Sequence, residues 1–326
     1  MIEYNKKNAR RWSIIGERPS FGMAVHELAK ENESIMVVCA DTVNSAGLDR
    51  LRTEMPDRII NVGIAEQNMM GIATGIASEG YSVITTTFAP FHAMRCLEQI
   101  RVNQGYMGQK VIMAGLAGGV AYGELGFTHC TIEDVSILRS VPNIAVVTPA
   151  DCMEVVKAVE ASISYPGSVY IRLLDKTNVP AVYSEDFDFK IGQAVQLREG
   201  GEIAIMACGT TVKPALDASD KFRGETGKNI AVYDFHTVKP LDTELLEKLK
   251  GSVKAIVTIE EHSIIGGLGG AISEYYSDSS TVLPIYRMGL PDEFPHGASH
   301  EALMKQFNLT EDGIYNKLTK IMEELS

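Results

Sequence analysis

The sequence predicts an α/β protein made of two tandem doubly wound domains. Short β-branched runs alternate with helical stretches along the chain. The runs are apolar throughout rather than alternating, the pattern of parallel strands buried on both faces. The rhythm breaks once, at NVPAVYSEDFDFK (178–190), where proline, acids and aromatics cluster. A length of 326 residues fits two domains of roughly 100–200 residues each.

In chain order, SIMVVCAD (34–41), YSVITTTF (81–88), KVIMAG (110–115), NIAVVTP (143–149) and SVYIRL (168–173) read as strands of the first domain. Amphipathic stretches at 20–31, 64–79, 91–104, 131–140 and 151–163 read as its helices. EIAIMACG (202–209), NIAVYDF (229–235), KAIVTIEE (254–261) and TVLPIYRMG (281–289) are strands of the second domain. Its helices fall near 211–222, 242–250, 267–277 and 311–323. The expected division is an N-terminal extension (1–14), a first domain (15–178), a linker (179–190) and a second domain (191–326), with doubly wound topology in both domains.

Composition narrows the function. Net charge is −12 and the pI is near 5.1, which argues against nucleic acid or anionic membrane as the main partner. No apolar run reaches the roughly 18 residues of a membrane span. The start, MIEYNKKNARRW, is basic but has no apolar core, so it does not read as a secretory leader. Glu3 and Glu17 count against a transit peptide. Five scattered cysteines without a CxxC pair fit a reducing cytoplasm and no zinc or disulfide framework.

Three stretches carry chemistry. In NVGIAEQNMMGIATGIA (61–77), Glu66 follows Gly63 at a helix start, where negative charge is favoured. It reads either as a carboxylate paired with an arginine or capping an amide, or as a carboxyl with a raised pKa in an apolar pocket walled by the neighbouring Met and Ala residues. In TTTFAPFHAMRCLEQIR (85–101), Phe88 and Phe91 sit where a strand ends, the place open α/β sheets bind ligands. They read as core aromatics or as stacking partners for a flat ring. In AGLAGGVAYGELGFTHCTIED (114–134), glycines permit close backbone approach and His129 stands before a helix, as a loop cap or a partner for a polar substrate. Arg18 and Arg172 are candidates for an anion. HSIIGGLGGAISEYY (262–276) reads as a phosphate turn or as close helix–sheet packing. His296 and His300 in PHGASH have no third metal ligand in view.

Together, INVGIAEQNMMGIATGIASEGY, TTTFAPF, GELGFTH and LRSVPNIAVVTPAD resemble the pyrimidine-binding domain of transketolase-type thiamine-diphosphate enzymes. VKPLDTELL, VTIEEHSIIGGLGGAISE and MGLPDEFPHGAS resemble the family's C-terminal domain. The resemblance covers about residues 15–325. It implies that Glu66 is catalytic and hydrogen-bonds N1′ of the cofactor's aminopyrimidine, with Phe88, Phe91 and Met94 around that ring. His129 matches a catalytic histidine near the donor's carbonyl and hydroxyls. Arg18 and Arg172 match arginines holding the sugar phosphate. In the loop CADTVNSAG, Asp41 and Ser45 lie on the donor side, with Ser45 as a phosphate contact.

No GDG motif occurs; EDG at 311–313 lies in the C-terminal tail. The resemblance therefore implies a split enzyme of the transferase type. A partner N-terminal subunit would hold the thiamine diphosphate and its divalent metal (Mg2+ or Ca2+), with an α2β2 assembly as the expectation. Leu125 in GELGFTH replaces an aspartate that touches a donor hydroxyl, and Ala117 takes the place of a usual histidine. Met94 stands where a tyrosine often backs the pyrimidine. The cofactor set is intact and the donor set altered, which implies an unusual ketose phosphate. Competing expectations are a 2-oxoacid dehydrogenase E1 β-like half, a deoxyxylulose-phosphate synthase-like half, and a non-catalytic scaffold.

Overall fold

The computed structural model describes residues 2–280 and 283–325. Its strands, in chain order, are β1 (Ile35–Cys39), β2 (Ile59–Asn61), β3 (Ser82–Phe88), β4 (Val111–Leu116), β5 (Ile144–Val147), β6 (Ser168–Arg172), β7 (Val195–Arg198), β8 (Ile203–Ala207), β9 (Ala231–Asp234), β10 (Thr237–Lys239), β11 (Ala255–Ser263) and β12 (Ile285–Leu290). Residues 281 and 282, where the last expected strand begins, lie outside the described residues.

The strands form two sheets. The first has the order β10-β5-β6-β4-β3-β1-β2 and the second β12-β11-β8-β9-β7. Pairing is parallel except for β10 on β5 and β7 on β9. Reversal of order about the first strands is the doubly wound arrangement, and it sets ligand sites at the carboxyl ends of the strands. Strand β10 comes from the second domain yet completes the first sheet. Its three residues, like those of β2, are too short to show a period in sequence.

Helix formation follows the apolar spacing. In the helix Glu66–Ser78, Met69, Met70 and Ala73 are fully buried. They pack in one apolar cluster with Val38, Val83 and Ile100 of the first domain and with Phe235, Leu246 and Tyr276 of the second. Burying each such large side chain contributes about 1.5–3 kcal/mol. These methionines and this alanine are therefore core, not the wall of a pocket beside Glu66. The 3.6-residue repeat turns them toward the sheet. The segment read as an N-terminal extension holds a helix, Lys6–Ile15, capped where Asn5 Oδ1 accepts the Asn8 amide at 2.9 Å. Its Trp12 is buried and donates to Met23 Sδ at 3.1 Å. Helices Asp49–Glu54 and His300–Gln306 were likewise not legible in the sequence. Among the described residues no helix is long and apolar enough to cross a membrane.

The domains are also joined by buried carboxyls. Asp151 caps the helix Cys152–Ser164 through the Glu154 amide at 2.9 Å, and its second oxygen accepts the Val182 and Tyr183 amides at 2.8 Å each. Tyr183 Oη in turn donates to Asp234 Oδ2 at 2.8 Å. Burial, and then the Asp234 charge, push the Glu154 carboxyl well above its ordinary range. The folded protein thus binds this proton more tightly than the unfolded chain does. The resulting stability is full at low pH and declines as pH rises above the ordinary carboxyl value of 4.5. In urea melts between pH 4 and 8, stability is expected to fall with rising pH. Glu154→Gln, which imitates the protonated form, is expected to flatten that slope.

Candidate active site

The carboxyl ends of β1 and β3 meet the start of the helix Glu66–Ser78. Asn61 at the end of β2 accepts the Asp41 and Gly63 amides at 3.0 and 3.1 Å. Gly63 has φ +74°, a left-handed turn that glycine makes without strain. The chain then enters the helix with Glu66 as its first residue, 3% exposed. Glu66 Oε1 lies 2.7 Å from Arg95 Nη1. The Arg95 guanidinium carbon is 4.1 Å from the centroid of the Phe91 ring. Arg95 is itself 44% exposed. A planar nitrogen donor therefore lies against Phe91 and bonds to Glu66, an arrangement that a flat aminated heterocycle also fits.

Phe91 and Arg95 belong to a stretch, Phe91–Arg95, wound in wide π-type turns, a distortion common at functional sites. Phe88 and Phe91 stand edge to face at 6.0 Å, and each lies 5.8 Å from the His129 ring. Tyr122 closes the group, 5.7 Å from Phe88. The structure thus brings together Glu66, Phe88, Phe91 and His129 from three separate stretches. It adds Arg95 and Tyr122, which the sequence reading did not single out. Arg95 had one available signal, its place four residues after Phe91; Tyr122 had none. Met94, on the same turn, is 43% exposed.

Arg18 reaches this group. Its Nη1 donates to Tyr122 Oη at 3.1 Å, and its Nη2 pairs with Asp175. Burial, then the hydrogen bond to Asp175, push the Tyr122 phenol up to about 12. Ser45 lies half-buried in the loop after β1, with Asp41 exposed beside it. Arg172 is not brought to the group. Its Nε donates to Asp134 Oδ2 at 2.9 Å, and Nη1 and Nη2 donate to the Glu261 and Thr131 carbonyls at 3.0 and 3.1 Å. A guanidinium so enclosed serves the domain junction, and the expectation that it faces a sugar phosphate is corrected on that ground.

The glycine-rich loop is shaped by the second domain. Ala117, buried and at φ +56°, turns the chain out of β4. Gly119 (φ +69°) pairs with Thr131 across the loop. A Cβ at Gly119 would lie 2.2 Å from Glu261 Oε1. That oxygen accepts the Val120 amide at 2.8 Å. Glu261 Oε2 takes the Thr210 hydroxyl and lies 3.0 Å from His300 Nε2. Burial raises the Glu261 carboxyl, but His300, Arg172 and Thr210 outweigh it and hold it down to about 2. His300 is thus bound to a carboxylate, and His296 stands exposed on its loop. Among the described residues no three His, Cys, Asp or Glu side chains converge on a metal position. Beyond the clamp the loop opens to solvent, with Leu125 61% exposed at its tip.

The fold and this site define a pyrimidine-binding unit followed by its companion domain. Residues 16–180 match the family model "Transketolase, pyrimidine binding domain" and residues 192–314 match "Transketolase, C-terminal domain". The chain belongs to the transketolase family, as a subunit carrying these two domains of a split, transketolase-type transferase that acts with a partner subunit. It is 37% identical over 304 residues to a subunit of the apulose-4-phosphate transketolase of Phocaeicola vulgatus, covering 93% of this chain and 96% of that one. It is 35% identical over 297 residues to a 6-deoxy-6-sulfo-D-fructose transketolase subunit of a Clostridium species, covering 91% of each. Among solved structures it resembles a split-gene transketolase described as an inactive β4 tetramer, with TM-score 0.84, 36% identity and 94% and 97% coverage.

Glu261→Ala would leave the buried Val120 amide without its acceptor and His300 without its carboxylate. Leaving a buried amide without its acceptor costs about 1–3 kcal/mol. Chemical denaturation is expected to show a loss of that order, with faster hydrogen exchange at the Val120 amide.

Proposed function

We propose that this chain supplies the pyrimidine side of the active site in a two-chain transketolase, which moves a two-carbon ketol unit from a ketose phosphate to an aldose phosphate. One observation carries the reading: Glu66, buried at a helix start, bonds a planar nitrogen group that lies against Phe91. The residues fit thiamine diphosphate, the cofactor of the family. Glu66 would share a proton with a pyrimidine ring nitrogen, in place of its contact with the solvent-exposed Arg95. Phe88, Phe91 and Met94 would border the ring and exclude water. His129 would orient the substrate's carbonyl and hydroxyls within hydrogen-bond reach. Arg18 and Ser45 would meet the phosphate end. When bound, the cofactor supplies the electron sink for carbon–carbon bond cleavage and formation.

The partner subunit would contribute the diphosphate-binding domain and the divalent metal, Mg2+ or Ca2+, in an α2β2 complex of the cytoplasm. The names of the relatives, with apulose 4-phosphate and 6-deoxy-6-sulfo-D-fructose as substrates, support an uncommon ketose donor here. So does Leu125, whose apolar side chain offers a donor hydroxyl nothing to bond.

With the partner chain present, Glu66→Gln is expected to lower ketol transfer by at least about a hundredfold, the scale on which a positioned proton-transfer group contributes. Transfer at the parental rate would overturn the role of Glu66 and favour a scaffold. The chain alone is expected neither to turn over nor to retain the cofactor in equilibrium dialysis. Carbon dioxide release from pyruvate without ketol transfer would instead point to a 2-oxoacid dehydrogenase-like half. Condensation of pyruvate with glyceraldehyde phosphate would point to a deoxyxylulose-phosphate synthase-like one.

A further inference from the structure

Arg18 is flanked by a carboxylate that the cofactor chemistry does not need. The Arg18 and Asp175 side chains are only 20% and 15% exposed, so their charges are screened less than those of a surface pair. Three other cations of the site and the junction are engaged elsewhere. Arg95 meets Glu66, Arg172 meets Asp134, and Lys176 Nζ lies 3.2 Å from His300 Nδ1. Glu17, next to Arg18 in the chain, accepts the Leu174 amide at 2.6 Å, and burial pushes its carboxyl up to about 8. It therefore adds little negative charge at neutral pH. Asp175 remains as the carboxylate that offsets Arg18, beside the Tyr122 ring and the aromatic group.

We propose that Asp175 sets how strongly this site prefers a phosphorylated substrate to the same sugar without its phosphate. The inference rests on the assignment of Arg18 to the phosphate end. A guanidinium presents a planar fork that suits carboxylate and phosphate alike, and Asp175 already takes part of that fork. A phosphate meeting Arg18 is attracted by the guanidinium and repelled by the carboxylate on its flank. The chain's own contribution to phosphate recognition is thus an arginine with its charge cancelled, and selection against the free sugar is weak. Removing the carboxylate charge raises that selection.

The test uses the reconstituted two-chain enzyme with a ketose phosphate that it turns over, and the same ketose without phosphate, as alternative donors. Asp175→Asn is expected to raise kcat/KM for the ketose phosphate on the order of tenfold, the effect of one partly screened charge. The gain should lie in KM, with kcat and the free-ketose values unchanged. Asp175→Ser, smaller and differently bonded, is expected to give the same gain. Arg18→Gln is expected to abolish the phosphate preference. If both Asp175 variants leave the preference unchanged, or lower the two donors in parallel, Asp175 is a structural partner of Arg18 and the proposal falls. If Arg18→Gln itself leaves the preference intact, the phosphate assignment of Arg18 fails first, and the proposal with it.

Discussion

The buried Glu261 carboxylate is the constraint on which the site depends. It stands on β11 of the second domain, yet its acceptor atoms organise a loop of the first. One oxygen holds the Val120 amide and the other the Thr210 hydroxyl and His300. Arg172 arrives from β6 to bind the Glu261 carbonyl and Asp134. A charge this deep is stable only when nearly every lone pair is satisfied. The bonds that satisfy it come from both domains, so the loop bearing Tyr122 and His129 has its base fixed by the junction.

The same logic explains the division of labour among the arginines. Arg172 is spent on the junction, Arg95 on Glu66, and Arg18 on Tyr122 and Asp175. Of the three, only Arg95 is exposed, at 44%, so its side of the contact with Glu66 can be reached from solvent. Arg18 keeps its place through two partners, Tyr122 and Asp175. The site is thus rigid where the loop is anchored and exchangeable where a flat ring would enter.

The two sheets are less independent than tandem domains imply. Strand β10 crosses back to pair with β5, and the apolar cluster under the helix Glu66–Ser78 continues into the second domain. Tyr183 in the linker bonds Asp234, and Asp151 holds the linker's backbone. The linker is thus pinned to both domains rather than flexible. The acidic, aromatic sequence that reads as a linker is one, but its partners hold it in place.

The sequence by itself determined the fold class, because continuous apolar strands separated by amphipathic helices leave few ways to bury both faces of a sheet. It also determined the residues Glu66, Phe88, Phe91 and His129, whose types and order carry the family likeness. It could not reveal β2 or β10, whose three residues each are too short to show a period. Only the tertiary structure decided which cation meets which anion. Arg18, Arg95 and Arg172 look alike in sequence, and Asp175, Glu261 and Asp134 carry no mark of their partners. Such pairs join residues far apart in the chain, as Arg18 and Asp175 or Lys6 and Glu185 are, and local patterning holds no information about them. The apolar neighbours of Glu66 show the same limit: their spacing is that of a helix, but only the packed sheet beneath shows that they face a core.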